Sequence, residues 1–250
     1  MPRYDFRTPR LYVDAPLADA ASVPLDSAQA NYLGNVLRLG PGATVLVFNG
    51  RDGEWRARLE NSGKRRLFLT VTGLARGQTE PADFHYLFAP LKHARLDYMV
   101  QKAVEMGAAR LAPVMTRHAQ VGRVNLDRMR ANAIEAAEQC GILTLPEILE
   151  PAPFDRELAS RDGSRLLVFC DEAAEVRDPV AALTARRSPD GPTPVDVLVG
   201  PEGGFADDER KALAALPNVL RLSLGPRILR ADTAAVAALA LVAAVLGDWR

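Results

Sequence analysis

The residues best suited to chemistry follow two hydrophobic runs that each stop at glycine and proline. Val195-Asp196-Val197-Leu198-Val199 leads into Gly200-Pro201-Glu202-Gly203-Gly204, and Val219 to Leu224 leads into Gly225-Pro226-Arg227-Ile228-Leu229-Arg230, with Asp232 two residues further on. Glycine lets backbone approach a ligand closely, while proline fixes φ and removes a donor, so each pair builds a defined wall with little side-chain bulk. Arg227 and Arg230 bring planar forks of N–H donors that suit anionic or carbonyl oxygens. A single such loop is an ordinary strand-to-helix turn. Two of them, with an arginine at each end of the second, point to a site. Asp232 has a plainer reading as the N-cap of the last helix.

Several other chemistries are excluded. His85, His93 and His118 do not stand at metal-ligand spacing with Cys140 or Cys170, so no metal is expected. There is no Gly-x-Ser-x-Gly nucleophile elbow and no phosphate loop ending in Gly-Lys-Ser/Thr. Gly200 to Gly204 also lacks the dinucleotide fingerprint's spacing and falls late in the chain, where a first βα turn cannot be.

The elements that must hold these loops fall into two textures. Up to about Ala75, Arg10 to Val13 reads as a short strand and Ser27 to Leu39 as a helix, with Ala30, Leu33, Val36 and Leu37 at helical spacing before Gly40-Pro41-Gly42. Thr44 to Phe48, Glu54 to Leu59 and Arg66 to Val71 read as strands joined by Asn49 to Gly53 and Asn61 to Lys64, both hairpin signals. So few antiparallel strands close most economically into a small barrel. Arg38, Arg56, Arg58, Lys64, Arg65 and Arg66 give it a local positive surplus. Gly73 to Ala82 reads as a linker. Beyond it strands and helices alternate: Phe84 to Phe88, a helix from Arg95 to Met106, Leu111 to Met115, a helix from Leu126 to Cys140, Leu166 to Cys170, and a short helix from Val180 to Arg187. The two Gly-Pro runs with a helical pattern between them then describe adjacent strands of a mostly parallel sheet, whose ligands bind beyond the strand ends.

Composition sets the outer limits. The 250 residues suit one large or two modest domains, and 48% hydrophobic content supplies proper cores. With 31 basic and 31 acidic residues there is no global basic field to announce nucleic acid. The basic residues are nearly all arginine, the exceptions being Lys64, Lys92, Lys102 and Lys211. Two cysteines are too few for a disulfide framework, and no basic start with an apolar stretch marks secretion. The cytoplasm is the expected location. Ala234 to Leu246 is the most apolar stretch, too short to span a bilayer, and reads as a helix covered on most of its circumference. Isologous burial against a second copy of the chain would cover what one sheet face leaves.

Four segments make the chain recognisable. Gln101-Lys-Ala-Val-Glu-Met-Gly107, Glu135-Ala-Ala-Glu-Gln-Cys-Gly141, Val199-Gly-Pro-Glu-Gly-Gly204 and Leu224-Gly-Pro-Arg-Ile-Leu-Arg230-Ala-Asp-Thr-Ala234 resemble the bacterial 16S ribosomal RNA (uracil-N3) methyltransferases of the SPOUT class. Asn31 to Gly42 is similar to that family's segment inside its PUA-like barrel. The resemblance implies a PUA-like RNA-binding barrel over 1–75 and an α/β SPOUT domain with a C-terminal trefoil knot over 76–250. It also implies S-adenosylmethionine as methyl donor, a homodimer, and a uridine of small-subunit rRNA as acceptor, with neither membrane nor metal involved.

On this resemblance the donor would lie against Leu198, Val199, Gly200, Pro201, Glu202, Gly203 and Gly204, and against Leu222, Ser223, Leu224, Gly225, Arg227, Ile228, Leu229 and Ala234. Arg38, Lys92, Arg95, Arg117 and Arg227 would face RNA. Arg230 would stabilise charge on the base, and Asp232 would orient it or relay a proton. The chain departs from the family at four points. Asn35 and Ile142 stand where arginine is usual, and Ala231-Asp232 where Thr-Glu is usual. These changes fall on the acceptor side. The alternative classes are a non-enzymatic RNA-binding or ribosome-assembly protein that keeps the fold, and a methyltransferase for another RNA base.

Overall fold

In the computed structural model, residues 5, 7–62, 67–175, 178–189 and 191–249 are described. Lys64, Arg65 and Arg66, counted above in a basic surplus, lie outside them, as does the start of the strand read from Arg66. The chain forms two compact units, residues 1–80 with 137–145, and residues 81–136 with 146–250.

The first unit is a five-stranded sheet in the order β1-β3-β4-β5-β2, made of β1 (Arg10–Tyr12), β2 (Ser22–Pro24), β3 (Thr44–Phe48), β4 (Glu54–Asn61) and β5 (Leu67–Arg76). β1 pairs parallel with β3, and the other pairings are antiparallel. Both edge strands feed one core, since Leu11 and Val23 pack with Leu33, Val45, Val47, Leu59, Leu69 and Val71. β5 runs four residues into the stretch read as linker, because Gly73, Leu74 and Arg76 still pair with β4 across a register shift. The helix read over 27–39 is shorter and changes type. α1 (Ser27–Asn31) starts on an Asp26–Gln29 capping box and passes into a π-helical turn, Tyr32–Val36. The turn ends as Arg38 adopts a left-handed φ of 55° and Leu39 N–H donates to Leu33 O.

A buried ion pair anchors this unit. Arg10 and Glu54, 7% and 2% exposed, meet at 2.6 Å, and Arg76 adds a second guanidinium at 2.7 Å. Arg10 also donates to the carbonyls of Ala137, Glu138 and Ile142, and Arg76 to that of Gly141. Tyr12 N–H donates to Glu138 Oε1. Carbonyls at a helix C-terminus have no partner within the helix. The carbonyls of Ala137, Glu138 and Gly141 are therefore satisfied by arginines far away in the chain.

The second unit is a parallel sheet in the order β12-β10-β11-β6-β7-β8. Its strands are β6 (Phe84–Phe88), β7 (Arg110–Met115), β8 (Glu147–Ile148), β10 (Leu166–Cys170), β11 (Val195–Val199) and β12 (Val219–Leu222), with β9 (Ala152–Pro153) pairing β7 separately. β6 and β11 sit side by side at its middle in register from Phe84↔Val195 to Phe88↔Val199. The chain builds outward from β6 on one side, then returns to fill the other. One face packs Leu87, Ala112, Leu167, Phe169, Leu198, Phe205 and Leu213 with Phe154 of α4 (Phe154–Ser160). On its helices, α7 (Ala231–Val245) packs against α2 (His93–Glu105), α5 (Pro179–Thr184) and β11. α3 (Leu126–Cys140) and α6 (Asp207–Ala214) complete the set. No helix among the described residues is long and apolar enough to cross a membrane.

Candidate active site

The two Gly-Pro strands, β11 and β12, are not adjacent as the sequence suggests: β10 lies between them and pairs in parallel with both, so the three C-terminal ends lie together and a pocket opens there. Cys170, Val199 and Leu222 end the three strands and line it. Of the residues expected to hold a ligand, Val199, Gly200, Pro201, Glu202, Gly203 and Gly204 line the pocket from one loop. Leu222, Ser223, Leu224, Gly225, Arg227, Ile228 and Leu229 line it from the next, and Ala234 from α7. Leu198 does not. Its side chain belongs to the core with Phe169 and Phe205, as strand alternation requires for the residue before Val199.

The lining also includes Cys170, Asp171, Glu172, Phe205 and Ala231, which were not foreseen. Asp171 is the pocket's organiser. Its side chain is 0% exposed and takes Arg210 at 3.1 Å and Arg221 at 2.7 Å. Arg210 in turn donates to Phe205 O and pairs with Glu172 at 2.5 Å. Burial, then the neighbouring Asp171 charge, pushes the Cys170 thiol up to about 12, so at neutral pH it is a protonated wall and not a nucleophile.

Glycine is needed in the first loop for close packing as well as for access. A side chain on Gly200 would come within 3.0 Å of the Phe205 ring, and one on Gly203 within 3.2 Å of His118. Gly204 has a φ of +66° with Arg210 and Glu172 against it. His118 Nδ1 lies 3.1 Å from Gly203 O and 3.2 Å from Gly204 O. The loop is thus held by side chains around it before any ligand arrives.

Arg230 and Asp232 flank Ala231, itself a lining residue. Arg230 is exposed and is the N-cap of α7, with no side-chain capping bond. This corrects the reading of Asp232 as the cap. Asp232 sits inside the first turn, where its Oδ1 accepts from Thr233 N–H at 2.9 Å. Its ion pair is with Arg95, at 3.9 Å, and Arg95 also meets Glu202 at 2.8 Å. Among the described residues neither Arg227 nor Arg230 has a carboxylate within 4.0 Å. Lys92, at the N-cap of α2, is exposed. Arg117 pairs with Asp208 at 2.5 Å, and its backbone N–H donates to the buried Glu209. Arg38 belongs to the first unit, where it is exposed. Of the departures, Asn35 donates to Asn31 Oδ1 and Ile142 O accepts from Arg10. No group of three or more metal-ligating side chains occurs among the described residues.

A backbone-walled pocket beyond the carboxyl ends of parallel strands defines the chain as a ligand-binding α/β protein with its site where such sheets place it. Residues 78–243 match the RNA methyltransferase domain and residues 25–72 the RNA methyltransferase PUA domain, so the chain belongs to the RNA methyltransferase family. It is 31% identical over 234 residues to ribosomal RNA small subunit methyltransferase E of Rickettsia conorii, covering 93% of this chain and 94% of that protein. The protein of the same name from Synechocystis is 32% identical over 232 residues, 90% of this chain and 74% of that one. Among solved structures, ribosomal RNA small subunit methyltransferase E from Neisseria gonorrhoeae, bound to S-adenosyl methionine, superposes with a TM-score of 0.84 at 25% identity, covering 98% of this chain and all of that one.

Proposed function

We propose that this protein transfers a methyl group from S-adenosylmethionine to N3 of one uridine in 16S rRNA. The observation that carries the reading is the assembly of two Gly-Pro loops into one pocket with Arg230 and Asp232 next to its wall. The donor set fits a molecule that is part purine and part charged amino acid. Val199, Leu222, Leu224 and Leu229 offer apolar walls, the loop backbone offers directional contacts, and Glu172, Glu202 and Arg227 are charged side chains in the pocket's lining. The donor supplies a methyl group on sulfur, whose carbon–sulfur bond breaks with its electrons kept by sulfur as the bond to N3 forms.

The protein's own residues have the remaining work. Uracil N3 carries a proton at neutral pH, and its lone pair is free only in the anion. Arg230, exposed and unpaired, would hold the negative charge that spreads onto the carbonyl oxygens. Asp232 would take or relay the N3 proton. Arg38, Lys92, Arg117 and Arg227 would contact phosphates, with a PUA-like module over 1–75 positioning RNA and the SPOUT module over 76–250 reading the base. A homodimer using α7, a trefoil knot and a cytoplasmic location belong to the same reading. α7 buries Ala231, Ala234, Ala235, Ala238, Leu239, Val242 and Ala243 within its own chain, which leaves Val236, Ala237 and Leu241, partly exposed, for a twin.

Calorimetric titration with S-adenosylhomocysteine tests the donor site. Saturable binding to the wild type and its loss in Gly200→Trp are expected, and equal binding by both proteins would contradict the assignment.

A further inference from the structure

Arg95 stands in the first turn of α2 and reaches residues of two other elements. Its Nη1 is 2.8 Å from Glu202 Oε1, in the pocket loop after β11, and its Nε is 3.9 Å from Asp232 Oδ2, in the first turn of α7. Among the described residues Asp232 has no other cation within 4.0 Å, although Arg230 is only two residues away. The side chains of Glu202 and Asp232 are 31% and 20% exposed, and that of Arg95 42%. The tie therefore joins the pocket loop after β11 to the first turn of α7 and is only partly bathed by solvent. A guanidinium hydrogen-bonded to one carboxylate and 3.9 Å from a second is less available to a phosphate than an unpaired one. Arg227, with no carboxylate within 4.0 Å among the described residues, is better placed for that.

We propose that Arg95 is a positioning residue for methyl transfer and not an RNA contact. It holds the Asp232 carboxylate at a fixed place relative to the loop carrying Glu202, so that the group receiving the N3 proton and the wall of the donor pocket move as one. The inference rests on the transfer reaction proposed above, and it assigns Arg95 an action through Asp232 with no contact to the base. A guanidinium suits the task because its planar fork can address two carboxylates at once.

The test compares wild type, Arg95→Ala, Arg95→Lys, Asp232→Asn and the double variant Arg95→Ala/Asp232→Asn. Each is assayed in single-turnover transfer at saturating donor and RNA, and for RNA affinity across a range of salt. Thermal unfolding of each variant verifies that it is folded. Arg95→Ala should slow the saturated rate roughly tenfold or more, the scale of coupling between contacting residues, with RNA affinity and its salt slope unchanged. Arg95→Lys, which keeps the charge, should recover part of the rate. The double variant should be no slower than Asp232→Asn alone, because Arg95 acts only through that carboxylate. An unchanged saturated rate in Arg95→Ala, with weaker RNA binding and a salt slope smaller by about one, would make Arg95 a phosphate contact and overturn the proposal. Losses that multiply in the double variant would overturn it as well. Wild-type protein that transfers no methyl group would fail the proposed function itself, before any variant is compared.

Discussion

Arg230→Ala should lower the single-turnover transfer rate by roughly a hundredfold or more, the scale seen when a preorganised donor to developing charge is removed. Affinity for S-adenosylhomocysteine should hardly move, since the Arg230 side chain is outside the pocket lining. Full turnover by the variant would remove the catalytic assignment. Asp232→Asn separates two roles of its side chain, because asparagine can still accept from Thr233 N–H but carries no charge for Arg95. A large loss of rate with unchanged melting temperature points to the charge, and retained activity points to the helix turn alone. At this scale the two Gly-Pro loops were legible in the sequence because glycine and proline at strand ends limit what the backbone can do. Cys170-Asp171-Glu172 was not, since the run from Leu166 ends without that punctuation, and only the parallel pairing of β10 with β11 and β12 brings it beside the others. Asp232 shows a different limit. Its residue type suits an N-cap, but capping depends on where helical dihedrals begin, and α7 begins two residues earlier than an Asp232 cap would place it, after Arg230.

Among the elements, β1, β4 and β5 are held together by Arg10, Glu54 and Arg76. Glu54→Ala should destabilise the protein by about 3 kcal/mol or more, because it leaves the Arg10 guanidinium buried without its counter-charge. Urea unfolding measures this directly, and a loss under 1 kcal/mol would mean that water reaches Arg10. Burial pushes the Glu54 carboxyl up, but the hydrogen bonds and charges of Arg76 and Arg10 outweigh it and hold the pKa below the ordinary value. Asp196 follows the same pattern, with burial opposed by His85, Arg165 and Arg161. Carboxyls lowered in the folded state stabilise it fully above their unfolded values, near 4, and that contribution is lost as pH falls through the folded values. Melting temperature should therefore drop below about pH 4, and less steeply in Glu54→Gln than in wild type. The strand pattern of this unit was readable from its alternation and hairpin glycines. The helix over 27–39 was overextended, because Ala30, Leu33 and Leu37 keep helical spacing through a π turn that ends at Val36. Periodicity does not register a change in hydrogen-bond pattern inside a helix.

For the whole molecule, the arrangement of strands explains why one chain with no net charge can belong to an RNA methyltransferase family. Much of the charge is spent internally, as at Arg161, Arg165 and Asp196, while Arg227 and Arg230 beside the pocket have no carboxylate within 4.0 Å among the described residues. The parallel sheet was predictable from alternating strands and helices. The distance in sequence between β6 and its partner β11 was not, because pairing across a return path leaves no local mark. The proposed dimer predicts light scattering of a two-chain species at micromolar concentration, and a folded monomer that still binds donor would count against it. The central claim is tested most directly by incubating purified protein with S-adenosylmethionine and unmethylated small ribosomal subunits or their 16S rRNA, then mapping the product by nuclease digestion and mass spectrometry. The account predicts one N3-methyluridine at a single position, lost in Arg230→Ala. Wild-type protein that binds donor and RNA yet leaves every uridine unmodified, or that methylates a different base, would contradict it.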